Sequence, residues 1–514
     1  MKKAVWILGD QLSMKSSSLA AIAAGTDLVL MIESLERARE HNYHKAKLML
    51  LYSAMRHFKL ELEDAGYTVH YDELGEGKNF LQGLKAFVKT NGVTELAIMQ
   101  PAEAAADAFV HGLSQGIGIP VAITPNNMFL TPREAFIAKH RGKKHLVMEH
   151  FYRDMRRNLH VLMTPQGEPE GGVWNLDKEN RNPIKTKISI PALPQFKKDS
   201  IDLEVETVVN QYFKNNFGTT ANFNLPTTRL GAEIFFDHFI THRLPLFGDY
   251  EDAMLQSELV LFHSFVSPLV NIGLLDVMTL VRRVEAEYHQ GRAPLNAAEG
   301  FIRQLIGWRE FMYGCYWTKM SAGNYHDENF LEATRALPPF YWTGDATILS
   351  SGSRKMNCIS QCVLKVREHG YTHHIERLMV LGNFALIAGV RPSEINDWFW
   401  ECYLDAYDWV VTPNVVGMSQ FADGGFVATK PYAASANYIS KMSDYCSHCR
   451  FDKNAKTGET ACPFNYLYWD FYMRNESKLR KNPRIGMAYV LLDKKSPEEK
   501  SDIAASAQKF FDGL

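Results

Sequence analysis

The chain has 514 residues, of which 46% are hydrophobic and 22% charged, with a formal net charge of −2. That size and apolar content fill large cores and divide into two or more domains, and the near-neutral charge argues neither for nor against a polyanionic partner. No run approaches the roughly 18 uninterrupted apolar residues of a membrane span, so a soluble globular protein is expected, and seven cysteines with no signal peptide at the N-terminus describe a reducing compartment.

Residues 1–125 read as alternating strands and helices. Apolar runs predict strands at Ala4 to Leu8, Leu28 to Ile32, Thr68 to Tyr71, Glu95 to Met99 and Val121 to Ile123. Between the second and third, Leu48, Leu51, Tyr52, Met55, Phe58 and Leu62 recur at helical spacing, and Gly66 caps the end. The pattern predicts a doubly wound α/β domain with a parallel sheet. Ligands on such sheets sit beyond the carboxyl ends of the strands, which singles out Gly9, Asp10 and Gln11 after the first strand and Glu33 after the second. No G-x-G-x-x-G occurs, so a dinucleotide clamped by the usual phosphate turn is not expected there.

From 126 to 225 periodicity weakens and Pro and Gly cluster, which predicts a long interdomain connector. Its first part holds Arg133, Lys139, Arg141, Lys143, Lys144, Arg153, Arg156 and Arg157 with Phe136, Phe151 and Tyr152 interleaved. Such a stretch suits a phosphate backbone, although a solvated helix face has the same composition. Residues 226–514 are almost wholly helical, with no strand alternation. Asn296 with Glu299 predicts an N-cap for a helix whose face carries Phe301, Leu305, Trp308 and Met312. Ser264 and Ser267, with Pro268 following, leave backbone N–H groups aimed at an anion.

Near the C-terminus Cys446 and Cys449 form a C-x-x-C pair, followed by Cys462 and Pro463. Close cysteine pairs in a reducing compartment serve metal or redox chemistry more often than disulfides. Zinc and an iron–sulfur cluster both accept four thiolates, and the spacing leaves them open, along with the reading of unligated cysteines in a packed loop. A fourth ligand would come from Cys315, Cys358, Cys362 or Cys402.

Several motifs then carry a resemblance. Phe301 to Phe311 (FIRQLIGWREF) resembles the flavin-domain signature of the photolyase/cryptochrome family. Leu8 to Leu12, Met148 to Tyr152, Phe340 to Gly344, Met356 to Cys358, His373 to Arg377, Gly417 to Gly425 and Tyr445 to Cys449 resemble its bacterial iron–sulfur branch, several members of which repair (6-4) photoproducts.

The resemblance implies an α/β antenna domain over 1–125, a linker over 126–225 with the basic segment, and an all-α FAD and iron–sulfur domain over 226–514. It implies a [4Fe–4S] cluster on Cys358, Cys446, Cys449 and Cys462, and FAD held by Tyr250, His263, Ser264, Ser267, Gln304, Trp308, Arg309, Arg377, Asn383 and Asp405. It further implies His374 as the catalytic histidine with His373 assisting, and electron transfer through Trp398, Trp342 and Tyr407. A 6,7-dimethyl-8-ribityllumazine antenna would be held at Asp10 and Glu33, although Ile32, Arg37 and Glu40 depart from the branch pattern. The implied function is light-driven repair of (6-4) lesions in UV-damaged DNA by a monomeric enzyme of the bacterial cytoplasm. The alternatives are a blue-light cryptochrome without repair activity and a cyclobutane-dimer photolyase, which would not need the histidine.

Overall fold

The protein is described by a computed structural model covering residues 2–77, 79–185 and 188–514. Its N-terminal part is a five-stranded sheet of β1 (Lys2–Ile7), β2 (Leu28–Ile32), β3 (Thr68–Asp72), β4 (Val93–Met99) and β5 (Val121–Thr124). The strand order is β3-β2-β1-β4-β5, every pair is parallel, and Trp6 lies between Leu30 and Ile98. The order reverses between β1 and β4, so the crevice beyond their carboxyl ends is the natural ligand position of this sheet.

Side chains alternate between the two faces, as the period of two requires. Ala4, Trp6, Leu30 and Ile98 pack beneath helices Phe80–Asn91 and Ala104–Ile117. Val5, Ile7, Val29 and Met31 pack on helix Lys45–Asp64 and join the core of the helical half. That helix is covered on both sides, which is why it buries even Lys47 and Arg56.

The predicted connector is more ordered than its weak periodicity suggested. It contains helices Arg133–His140, Met148–Leu159 and Ser200–Tyr212. The last is opened by a capping box between Asp199 and Asp202 and tied to Lys45–Asp64 by Arg56–Glu204 at 2.9 Å and His57–Asp199 at 2.8 Å. The Pro- and Gly-rich links between these helices mask their periodicity in the stretch as a whole. Phe136 lies directly over Gly314, where any Cβ would collide with its ring.

The remainder is helical, with two departures from expectation. Thr347–Ile348 and Arg354–Lys355 pair as a two-residue antiparallel ribbon. The helix expected to start at Asn296 starts at Leu295, and the Asn296 amide instead donates to Asp249 at 2.9 Å. Three π-helical turns, Arg303–Arg309, Glu376–Gly382 and Pro413–Ser419, interrupt the α-helices. Such turns cluster at functional sites, and the first two fall on the flavin-like and His-Arg motifs. Gly382 lets the second and third approach, since a Cβ there would meet Ser419 Oγ. Among the described residues, no helix is long and apolar enough to cross a membrane.

Candidate functional site

Arg377 organises the centre of the helical half. Its guanidinium donates to both oxygens of Asp405, at 2.9 and 3.0 Å, and through Nε to the Thr372 carbonyl at 2.7 Å. It stacks on Tyr403 at 4.2 Å. Ser267 Oγ donates to Asp405 at 2.6 Å, and the Asn271 amide reaches the Asp405 carbonyl at 2.9 Å. Burial raises the Asp405 pKa, but the charge and hydrogen bonds of Arg377, with Ser267, outweigh it and hold the carboxyl below its ordinary value. Ser267 therefore anchors its turn to Asp405, and the helix it opens, Ser267–Asn271, has only five residues.

The charge at that turn comes from a residue the sequence reading missed. Arg243, fully buried, donates to the carbonyl of His263 at 2.9 Å, immediately before Ser264. Its Nε and Nη2 have no hydrogen-bond partner, and no acid pairs with it among the described residues. Burial pushes its pKa down to about 10. A buried, unpaired guanidinium is costly unless an anion arrives. A lone Arg at a helix end carries no motif, and only its sealed environment marks it.

The adjacent histidines have opposite surroundings. His374 is open to solvent, yet enough protein surrounds it that desolvation, with Arg377 second, lowers its pKa. His373 is sealed, with neither ring nitrogen hydrogen-bonded among the described residues, and its ring stacks on His263 at 4.7 Å. His263 Nε2 in turn lies 2.9 Å from the Glu251 carbonyl. The Gln304 amide donates to the Glu251 carboxylate at 2.8 Å, and burial raises that carboxyl to about 7. Tyr250 packs on Phe262, and Trp308 meets Phe311 edge-on. Asn383 exchanges two hydrogen bonds with the backbone of Ala434, at 2.9 and 3.0 Å. Arg309 faces elsewhere: it pairs with Glu310 at 3.1 Å and stacks on Phe129 at 4.2 Å, while Glu310 accepts the N–H groups of Leu130 and Thr131. It fastens the connector to the helical half.

Four cysteines line one pocket: Cys358, Cys446, Cys449 and Cys462. Cys358 lies in the first turn of helix Asn357–His369, and Cys462 is the N-cap of Pro463–Arg474, so two helix N-termini face the pocket. Both favour negative charge there. Cys362 sits one turn on and contacts Tyr445 OH instead.

The aromatic residues form two groups. Trp398, fully buried, contacts Tyr403 at 5.8 Å and Tyr341 at 5.0 Å, and its indole donates to the Tyr341 carbonyl. Trp342 follows Tyr341 and is half-buried against Phe217. This row begins at the Arg377 stack. Tyr407 belongs to the other group, with Trp409, Phe129 and Tyr313, near Lys47 at the domain boundary.

Beyond β1 and β4, burial and Glu103 raise Asp10 to about 7, and Arg37 bridges Glu103 and Glu40. Glu33, expected to face a ligand, is instead held within the fold: Arg56, Tyr71 OH and Leu74 N–H engage both of its oxygens. The basic segment is also largely engaged. Arg133 pairs with Asp107, Lys139 with Asp154 and Arg153 with Glu149, Arg157 is near Asp154, and Arg156 donates to three carbonyls. What remains is the loop of Arg141, Lys143 and Lys144, exposed and without ion pairs among the described residues, seated on Gly425 and Phe426 through His145 and Leu146.

A family model described as deoxyribodipyrimidine photo-lyase-related protein matches residues 5–225. A (6-4) photolyase of Agrobacterium fabrum (strain C58 / ATCC 33970) is 43% identical over 513 residues, covering 99% of each chain. Among solved structures, a bacterial class III photolyase from Agrobacterium tumefaciens matches with a TM-score of 0.58 at 14% identity, over 100% of this chain and 96% of that one. A cryptochrome of Synechocystis sp. PCC6803 matches with a TM-score of 0.54 at 11% identity, over 98% of this chain and 94% of that one. At those identities the two structures establish the fold alone.

Proposed function

The chain belongs to the photolyase/cryptochrome family, and from that membership we propose that it repairs (6-4) pyrimidine photoproducts in DNA, driven by light, with FAD in its helical half. Bound there, reduced FAD supplies an electron donor when it absorbs a photon. The chain's own residues do the rest. Arg243 and the turn from His263 to Ser267 hold the pyrophosphate, which gives the orphaned guanidinium its anion. Arg377, fixed by Asp405 and Tyr403, holds the flavin ring. Gln304, Trp308, Tyr250 and Asn383 complete the walls.

The lesion leaves the base stack at a cost of a few kcal/mol, least for a damaged base. A hydroxyl then moves between its rings, and His374, neutral and open to solvent, exchanges the proton there. The row from Tyr403 through Trp398 and Tyr341 to Trp342 carries electrons inward. Arg141, Lys143 and Lys144 meet the DNA backbone. Cys358, Cys446, Cys449 and Cys462 hold a [4Fe–4S] cluster that pins distant helices, and Asp10 marks the lumazine antenna position.

The observation that carries the proposal is His374, open to solvent three residues before Arg377, which is half-buried and paired with Asp405. Purified, reduced protein should restore the pyrimidines of DNA carrying defined (6-4) lesions under blue light. His374→Ala should abolish repair and leave flavin absorbance intact. Undiminished repair by that variant removes His374 from its role, and no turnover by the wild type overturns the repair reading.

A further inference from the structure

Glu376 is sealed and used by nothing in the repair chemistry above. Its side chain has no solvent exposure. Oε1 accepts from Lys365 Nζ at 2.7 Å and from Tyr445 OH, and Lys365 Nζ also lies 3.1 Å from that hydroxyl. Two further Lys365 hydrogen bonds, to the carbonyls of Leu255 and Glu258 at 2.9 and 2.6 Å, hold the ammonium in place. Among the described residues the other oxygen, Oε2, has no hydrogen-bond partner, and it stands 3.8 Å from Nε2 of His373, whose nitrogens also have none.

An unpartnered acceptor beside an unpartnered ring, both excluded from water, leaves two unfavourable groups that one hydrogen bond would satisfy together. A small rotation of ring or carboxylate brings the two within reach. The groups facing His373 are His263, stacked on it, His374 and Arg377 from its own segment, Lys365 from helix Asn357–His369, and Glu376. Glu376 is the sole acid among them, and its unpartnered oxygen can order the ring by accepting from a protonated nitrogen.

We propose that Glu376 is a positioning residue for the histidine pair: its free oxygen accepts from His373 Nε2–H, fixes that tautomer and leaves Nδ1 unprotonated. Lys365 and Tyr445 hold the carboxylate, and Tyr445 precedes Cys446, so the cysteine segment and the histidines share one buried network. A carboxylate that fixes an imidazole tautomer in this way acts through orientation, not by contact with the reacting atoms. The role in repair rests on the function proposed above, but the tautomer does not.

The test uses the flavin-loaded full chain labelled with nitrogen-15 histidine, with the His373 signals assigned by their loss in His373→Asn. The variants are Glu376→Gln and the double variant Lys365→Met/Glu376→Gln, which removes both buried ionisable groups and avoids stranding Lys365 if the single variant fails to fold. In the wild type, His373 should keep one tautomer, protonated at Nε2, between about pH 6 and 8. Both variants should show mixed tautomers and about tenfold slower repair at unchanged FAD content, equivalent to about 1.4 kcal/mol. A single tautomer in all three proteins, or repair within about twofold of wild type in the variants, overturns the proposal. An inactive wild type with the expected tautomer shift would instead count against the repair reading.

Discussion

Arg243→Met should move two measurements in opposite directions. Burial pushes the Arg243 pKa down to about 10, which is the signature of a folded state that disfavours the charge. At about 1.4 kcal/mol per pKa unit, holding that charge in the flavin-free protein costs roughly 3 kcal/mol. Methionine keeps much of the stem's packing on Phe235 and Phe239 and removes the charge. It also removes the hydrogen bond to the His263 carbonyl, worth about 1 kcal/mol. The flavin-free variant should therefore be more stable by about 1–2 kcal/mol, seen as a higher urea midpoint. With FAD the sign reverses. Hydrogen bonds to a charged partner contribute about 1.5–3 kcal/mol each, so losing this group should weaken FAD binding by about tenfold to a hundredfold or more. Flavin fluorescence titration of the deflavinated protein measures it. A variant that is less stable without FAD and binds it within about twofold of wild type would refute the argument that Arg243 awaits an anion.

Three other perturbations test the remaining elements. Cys358→Ser should strip iron and the broad absorbance near ~400 nm, whereas Cys362→Ser, one turn along the same helix, should retain both; equal loss would undo the ligand assignment. Replacing Arg141, Lys143 and Lys144 with Ala should flatten the salt dependence of binding to lesion-bearing duplex by up to about 2.7 in log–log slope, read by fluorescence anisotropy, and an unchanged slope would place the DNA elsewhere. His44 accepts from Ala46 N–H through Nδ1 at 3.0 Å and donates from Nε2 to the Arg367 carbonyl at 3.2 Å, linking the two halves; burial lowers its pKa to about 4. Its unfolded form binds a proton below about pH 6.5 and the folded form does not, so its contribution is complete above that pH and declines as pH falls towards 4, by up to roughly 3 kcal/mol. Urea unfolding of His44→Gln across that window should lose close to one proton of pH dependence, and identical slopes would exclude it.

The central strands β1, β2 and β4 were legible because parallel strands buried on both faces are largely continuous apolar runs, and the partly exposed edge strands β3 and β5 also lie where they were predicted. The connector was not, since its helices Arg133–His140 and Met148–Leu159 are short and owe their order to packing on the helical half. The basic stretch was legible only in part for a related reason: composition counts charges, whereas Asp107, Asp154 and Glu149 pair with Arg133, Lys139, Arg157 and Arg153 only once the chain is folded, which leaves Arg141, Lys143 and Lys144 as the exposed cations.

At the site the division is similar. The sequence by itself determined the sheet, the helical half, the motifs that signal the family and the candidate cysteines, because these depend on local periodicity or on residue identity at fixed spacing. The tertiary structure decided which thiols share a pocket, that Glu33 and Arg309 serve the fold, and that Arg243 and Glu376 carry unmet hydrogen-bonding capacity. Those properties belong to environments, and an environment is assembled from segments far apart in the chain. Burial turns an ordinary Arg or Glu into a group that must find a partner, and no local pattern records where burial falls.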